Sequence, residues 1–172
     1  AENTQVRVEG LIVTGAASGI GRAIALELGK RGARVVGTAT TAAGAQSIDS
    51  YLEEAGIAGR GVVLNVADQG AVAACFKAVE AVEGTPSILV NNAGITRDAT
   101  LKKQSRKQWD EVLDTNLGGY VRMARAAVSG SPLFSAAMMA RCFSRVTSAS
   151  PSRGTIMWRQ RSNWAFETAM AC

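Results

Sequence analysis

The sequence contains no histidine. That absence excludes Ser-His-Asp and Cys-His catalysis and every metal site that needs an imidazole. Cysteine is scarce: Cys75, Cys142 and Cys172 are odd in number, far apart and form no CxxC pair. Neither a disulfide framework nor a thiolate zinc site can be read from them, so no metal is expected and a reducing cytoplasm is the expected compartment. Long hydrophobic runs are missing as well. Nothing approaches the roughly 18 apolar residues of a membrane span, and the N-terminal AENTQVRVEG lacks the apolar stretch of a signal peptide. A soluble chain without membrane contact is therefore expected.

What is present is a globular balance. The 172 residues are 47% hydrophobic and 19% charged, which suits one domain with a single core. The net charge of +5 is unevenly placed. Residues 1–128 are close to neutral, whereas residues 129–172 hold five arginines, no lysine and the single acid Glu167. The same segment is rich in serine, methionine and tryptophan and keeps no sustained period of 2 or 3.6 residues. The chain is thus expected to consist of a folded part, 1–128, and an atypical C-terminal segment, 129–172, altered in reading frame or truncated rather than merely variable. Because the basic excess lies there and no recognition module accompanies it, nucleic acid is not the expected partner.

Within 1–128, short apolar runs alternate with longer amphipathic stretches, the pattern of a parallel sheet covered by helices. Strands are expected at Leu11–Thr14, Ala33–Thr38, Gly61–Asn65 and Ser87–Asn91. Helices are expected near 19–31, 42–55 and 68–83. Ile20, Ile24 and Leu28 form the inward face of the first, and Gly32 and Gly56 stand where helices are capped. A long helix over about 105–128 places Trp109, Val112, Leu113, Leu117 and Tyr120 at core spacing, with Asp110 and Glu111 in its first turn at the positive dipole end. The fold class is therefore α/β, a Rossmann-like doubly wound parallel sheet.

The chemistry-bearing segment is Thr14-Gly15-Ala16-Ala17-Ser18-Gly19-Ile20-Gly21, between the first strand and the first helix. A phosphate at a helix N-terminus meets unpaired N–H groups and a positive dipole end, and glycines let the backbone approach it closely. The spacing GxxxGxG, with Asn91-Asn92-Ala93-Gly94 at the end of the fourth strand, resembles the short-chain dehydrogenase/reductase family. NNAGITRD (91–98), Gly37–Thr40 and Leu64-Asn65-Val66 are most similar to its 3-oxoacyl-acyl carrier protein reductase branch. Acetoacetyl-CoA reductases share NNAGITRD. The resemblance spans about residues 7–128, close to half of a typical subunit, so the fold is expected to be truncated relative to the family.

That resemblance implies NADPH-dependent reduction of a 3-oxoacyl thioester, carried on acyl carrier protein or coenzyme A, to the 3-hydroxyacyl form in fatty acid biosynthesis. It implies coenzyme contacts from Thr14, Gly15, Ala17, Ser18, Gly19, Ile20, Gly21 and Thr38. Asn65 and Val66 would flank the adenine, and Asn91, Ala93 and Gly94 would border the ribose and nicotinamide. No acid follows the second strand to bind the ribose hydroxyls and repel a 2′-phosphate, so NADP(H) is expected ahead of NAD(H). Ser18 stands where related NADP-dependent reductases often carry arginine.

The family's acid is a tyrosine followed four residues later by lysine, with a serine on the substrate carbonyl and an asparagine in the long helix for proton relay. The asparagine is matched by Asn116. The pair is not matched: Tyr51 and Tyr120 are the only tyrosines, and Ala55 and Ala124 stand four residues beyond them. Both tyrosines are expected to be structural. In the tail, Trp164 and Thr168 fall at the positions of the pair and can supply neither the acid nor the charge, while Ser148 or Ser150 would be the serine. Retained coenzyme binding with lost turnover is thus the companion expectation. The family's homotetramer uses long helices from both halves, and the second has no equivalent here.

Overall fold

The computed structural model describes residues 10–100 and 102–130 of the chain. Four parallel strands, β1 (Leu11–Val13), β2 (Val35–Ala39), β3 (Gly59–Val63) and β4 (Ile88–Val90), lie in the order β3-β2-β1-β4. The β-branched and aliphatic run of β1 is wholly buried, because both faces of a parallel sheet are covered by its crossover helices. Leu11 and Val13 point to one face and Ile12 to the other, the period of two that a strand imposes.

Helices α1 (Gly19–Lys30) and α2 (Ala42–Glu54) cover the first face, packing Ala25, Ile48, Tyr51 and Leu52 on β1 and β2. The second face is covered by α3 (Gln69–Glu83) and α5 (Gly119–Gly130), which contribute Val72, Phe76, Val79, Met123 and Ala127. Burial of each of the larger of these side chains contributes about 2 kcal/mol. Helices α1 and α2 both end in a Schellman turn: Gly32 and Gly56, with φ of 94° and 64°, follow the last helical residues and turn the chain back toward β2 and β3. The connection changes sheet face after β3, so a crevice opens between the C-terminal ends of β1 and β4, where open α/β sheets bind ligands.

The doubly wound arrangement and all eight expected elements are present, with strand ends displaced by at most two residues. Three details differ. The core face of α1 is Gly21, Ala25 and Gly29, and Ile20 is 49% exposed; small residues let the helix lie close to the sheet, which a search for large apolar side chains overlooks. The long helix is interrupted by a π-turn, Asp114–Gly118, between α4 (Arg106–Leu113) and α5. Trp109, Leu113 and Leu117 on it are 43%, 50% and 60% exposed rather than core: the helix carries two apolar stripes, and the sheet takes Met123 and Ala127. Asp110 and Glu111 lie beyond the first turn of α4. They pair instead with Arg106 and with Arg97 and Lys107, while Ser105 and Gln108 cap the helix start.

Cys75 is buried on α3, and burial pushes its thiol above the usual range. Cys142, Cys172, Ser148, Ser150, Trp164 and Thr168 lie outside the described residues. No helix of the described residues is long and apolar enough to cross a membrane.

Candidate functional site

A cleft of about 360 Å³ occupies the crevice at the ends of β1 and β4. The glycine turn supplies Gly15, Ala17, Ser18, Gly19 and Ile20, and β2 with the segment after it supplies Thr38 to Thr41. Asn65 and Val66 after β3, Ala93, Gly94 and Ile95 after β4, and Thr115 complete the lining. Among the described residues, no charged side chain lines it.

The turn is held by hydrogen bonds from β4. The Thr14 hydroxyl donates to the Val90 carbonyl at 3.2 Å and accepts from the amides of Asn92 and Ala93, both at 2.9 Å. The Asn92 side-chain Nδ2 donates to the carbonyls of Thr14 at 3.0 Å and Gly15 at 3.1 Å. From the other side, the Tyr51 hydroxyl on α2 donates to the Ala16 carbonyl at 3.0 Å, with the Arg22 guanidinium 4.9 Å above its ring. Desolvation pushes the Tyr51 phenol up to about 12, against a smaller lowering by Arg22. Tyr51 is thus structural, as its position in the sequence implies.

The helix starts are unequal in a way that bears on ligands. Thr41, Asp68 and Ser105 cap α2, α3 and α4 with side-chain acceptors, whereas Ser18 makes no such bond to α1. The first amides of α1 therefore keep their hydrogens for something else. Gly15 and Gly19 adopt φ of 66° and 57°, and a Cβ on Gly15 would stand 3.0 Å from Ala93 Cα. A side chain on Gly21 would fall on the Gly15 carbonyl. Gly15 and Gly21 leave no room for a side chain and Gly19 holds the left-handed conformation that favours glycine, and the result is a set of bare N–H groups facing a cleft, a fit for an oxyanion or diphosphate.

Of the residues singled out in the sequence, Gly15, Ala17, Ser18, Gly19, Ile20, Thr38, Asn65, Val66, Ala93 and Gly94 line the cleft together. Thr14, Gly21 and Asn91 do not line it. Thr14 is 1% exposed and spends its hydroxyl on β4 and the NNAG segment, Gly21 is packed beneath Gly15, and the asparagine that faces the turn is Asn92. Asn116 sits in the π-turn and grips Ile95 at two points: its Oδ1 accepts from the Ile95 amide at 2.8 Å and its Nδ2 donates to the Ile95 carbonyl at 2.9 Å. Sequence reasoning named Asn91 where Asn92 lines the cleft, and missed Gly44, Leu64, Ile95 and Thr115; their neighbours Thr41, Asn65, Gly94 and Asn116 were the available signal.

A family model of short chain dehydrogenases matches residues 9–135. The 3-oxoacyl-[acyl-carrier-protein] reductase FabG of Pseudomonas aeruginosa is 47% identical over 119 residues, covering 69% of this chain and 48% of that protein. The protein of that name from Escherichia coli is 40% identical over 154 residues, covering 90% of this chain and 59% of its own length. The Vibrio cholerae counterpart is 44% identical over 119 residues. The chain spans about half the length of the curated relatives it matches.

Proposed function

Because the chain belongs to the short-chain dehydrogenase family, we propose that the cleft at the ends of β1 and β4 binds NADP(H) for reduction of a 3-oxoacyl thioester on acyl carrier protein. The observation that carries this reading is the uncapped start of α1 opening into a cleft that no acid among the described residues lines. The diphosphate would lie on the amides of Ser18, Gly19 and Ile20, with the adenine near Asn65 and Val66 and the nicotinamide end near Ala93, Gly94 and Ile95. Thr38, Thr40 and Thr41 leave room for a 2′-phosphate with hydroxyls and no carboxylate beside it, which favours NADP(H) over NAD(H).

When bound, the coenzyme supplies the hydride. The chain's own residues hold and orient it, and Asn116 fixes the Gly94–Ile95 edge of the cleft where the proton relay of the family belongs. The acid of that relay is not available from either tyrosine. Tyr51 is committed to Ala16 at the far side of the turn, and neither Tyr51 nor Tyr120 has a lysine four residues on. These observations favour a second reading of this chain taken alone: coenzyme binding without turnover, as a non-catalytic nucleotide-binding or interaction protein.

Titration with NADPH and NADH by calorimetry, followed by NADPH oxidation with acetoacetyl-CoA, separates these readings. Binding of NADPH ahead of NADH is the expected result. Heat with neither coenzyme on a folded sample would overturn the assignment, and binding without oxidation supports the second reading.

A further inference from the structure

Two walls of the cleft are joined by a side chain that does not line it. Arg122, on the first turns of α5, donates through Nη1 to the Val66 carbonyl at 3.3 Å and to the Asp114 carbonyl at 3.1 Å, while its Nη2 pairs with Asp114 Oδ1. Val66 lines the cleft, and Asp114 opens the π-turn that carries Thr115, another lining residue, and Asn116, which holds Ile95. The Asp114 carbonyl also accepts from the Gly119 amide, the five-residue bond that defines the π register.

The surroundings are built for this contact. A Cβ on Gly118 would stand 2.9 Å from Asp114 Oδ1 and 3.0 Å from Arg122 Nη1, and one on Gly119 would stand 2.6 Å from Val66 Cγ2. The helix thus presents bare backbone where the guanidinium and Val66 need space. A half-exposed ion pair alone contributes little. Here the planar fork bridges three acceptors on two segments, a task that a lysine ammonium, a point donor on a flexible stem, performs poorly.

We propose that Arg122 is a positioning residue that locks the π-turn in register and ties it to Val66. It thereby sets the spacing between the Val66 wall and the Ile95 edge gripped by Asn116. The proposal rests on the coenzyme reading for its functional meaning and not for its structural content. If the lock is released, the α4–α5 helix relaxes toward a regular register, Asn116 rotates away from Ile95, and the cleft lining loosens at Val66 and Ile95 together.

The test is site-resolved amide exchange on the ligand-free 172-residue chain, with NADPH titration well below the melting temperature. In Arg122→Gln, exchange at Ile95 and Gly119 is expected to rise about tenfold while Leu11 and Val35 in the sheet keep their rates, and NADPH affinity to fall about tenfold. Arg122→Lys is expected to restore part of both. Wild-type exchange at Ile95 and Gly119 in the folded variant, or a uniform rise at all amides, would overturn the proposal. Should Arg122→Gln not fold, Arg122→Lys serves: a smaller rise confined to Ile95 and Gly119 supports the lock, and unchanged exchange there refutes it. Absence of NADPH binding by the wild-type chain overturns the coenzyme reading alone, because the exchange rates are measured without ligand.

Discussion

The Tyr51 hydroxyl on α2 donates to the Ala16 carbonyl in the glycine turn, across 35 residues of sequence and 3.0 Å of space. It is one of the few side-chain anchors of a segment whose own residues are glycine, alanine and serine. Removing it in Tyr51→Phe leaves a buried carbonyl unpaired and is expected to lower stability by about 1–2 kcal/mol in urea unfolding.

The same contact gives a pH dependence. The folded-state phenol is raised from 10.0 to about 12, so its stabilising contribution is complete below pH 10 and disappears as pH rises through about 12. Over that window the wild-type chain should lose on the order of 2–3 kcal/mol that Tyr51→Phe does not lose. A stability difference between the two proteins that stays constant from pH 10 to pH 12 would show that Tyr51 is exposed to solvent.

Asn116 satisfies both main-chain groups of Ile95 with one side chain. Asn116→Ala is expected to cost about 2 kcal/mol by thermal or urea unfolding and to weaken NADPH binding. Asn116→Asp keeps the acceptor and loses the donor to the Ile95 carbonyl, so its loss should be smaller than that of alanine.

Ala39 ends β2, lines the cleft and packs against Gly44. A carboxylate introduced by Ala39→Asp would meet the ribose hydroxyls of NADH and repel a 2′-phosphate. The ratio of NADPH to NADH affinity should fall by about tenfold or more, since like charges at such distance cost roughly 1–2 kcal/mol near a protein surface. An unchanged ratio would place the adenosine ribose elsewhere.

Leu117 is 60% exposed. Leu117→Glu should therefore leave the melting temperature of a dilute sample nearly unchanged, because exposed substitutions usually fall within about 0.5 kcal/mol. In a chain that self-associates through α4 and α5 it should shift the sedimentation or light-scattering mass toward the monomer.

Much of this was legible before any coordinates. Apolar runs of Val, Ile and Leu mark the four strands because a doubly covered sheet requires them, and the glycine turn is fixed by its place between β1 and α1. The inward face of α1 was not legible, since Gly21, Ala25 and Gly29 carry no hydrophobic signal and bury by closeness of approach. Nor was the direction of the long helix: with Trp109, Leu113 and Leu117 on one stripe and Met123 and Ala127 on another, period alone does not say which meets the sheet. The link of Asp114 to Arg122 was invisible, because eight residues is no pairing distance on a regular helix and the π-turn leaves no compositional mark.

The undecorated start of α1 has a practical consequence at the bench. Inorganic phosphate or sulfate in a buffer has the same chemistry as the group we assign to those amides and will compete for them. Coenzyme affinities measured in phosphate will read weaker than those in an organic buffer of the same ionic strength. The ratio of the two values reports directly on how much of the grip comes from that one helix end.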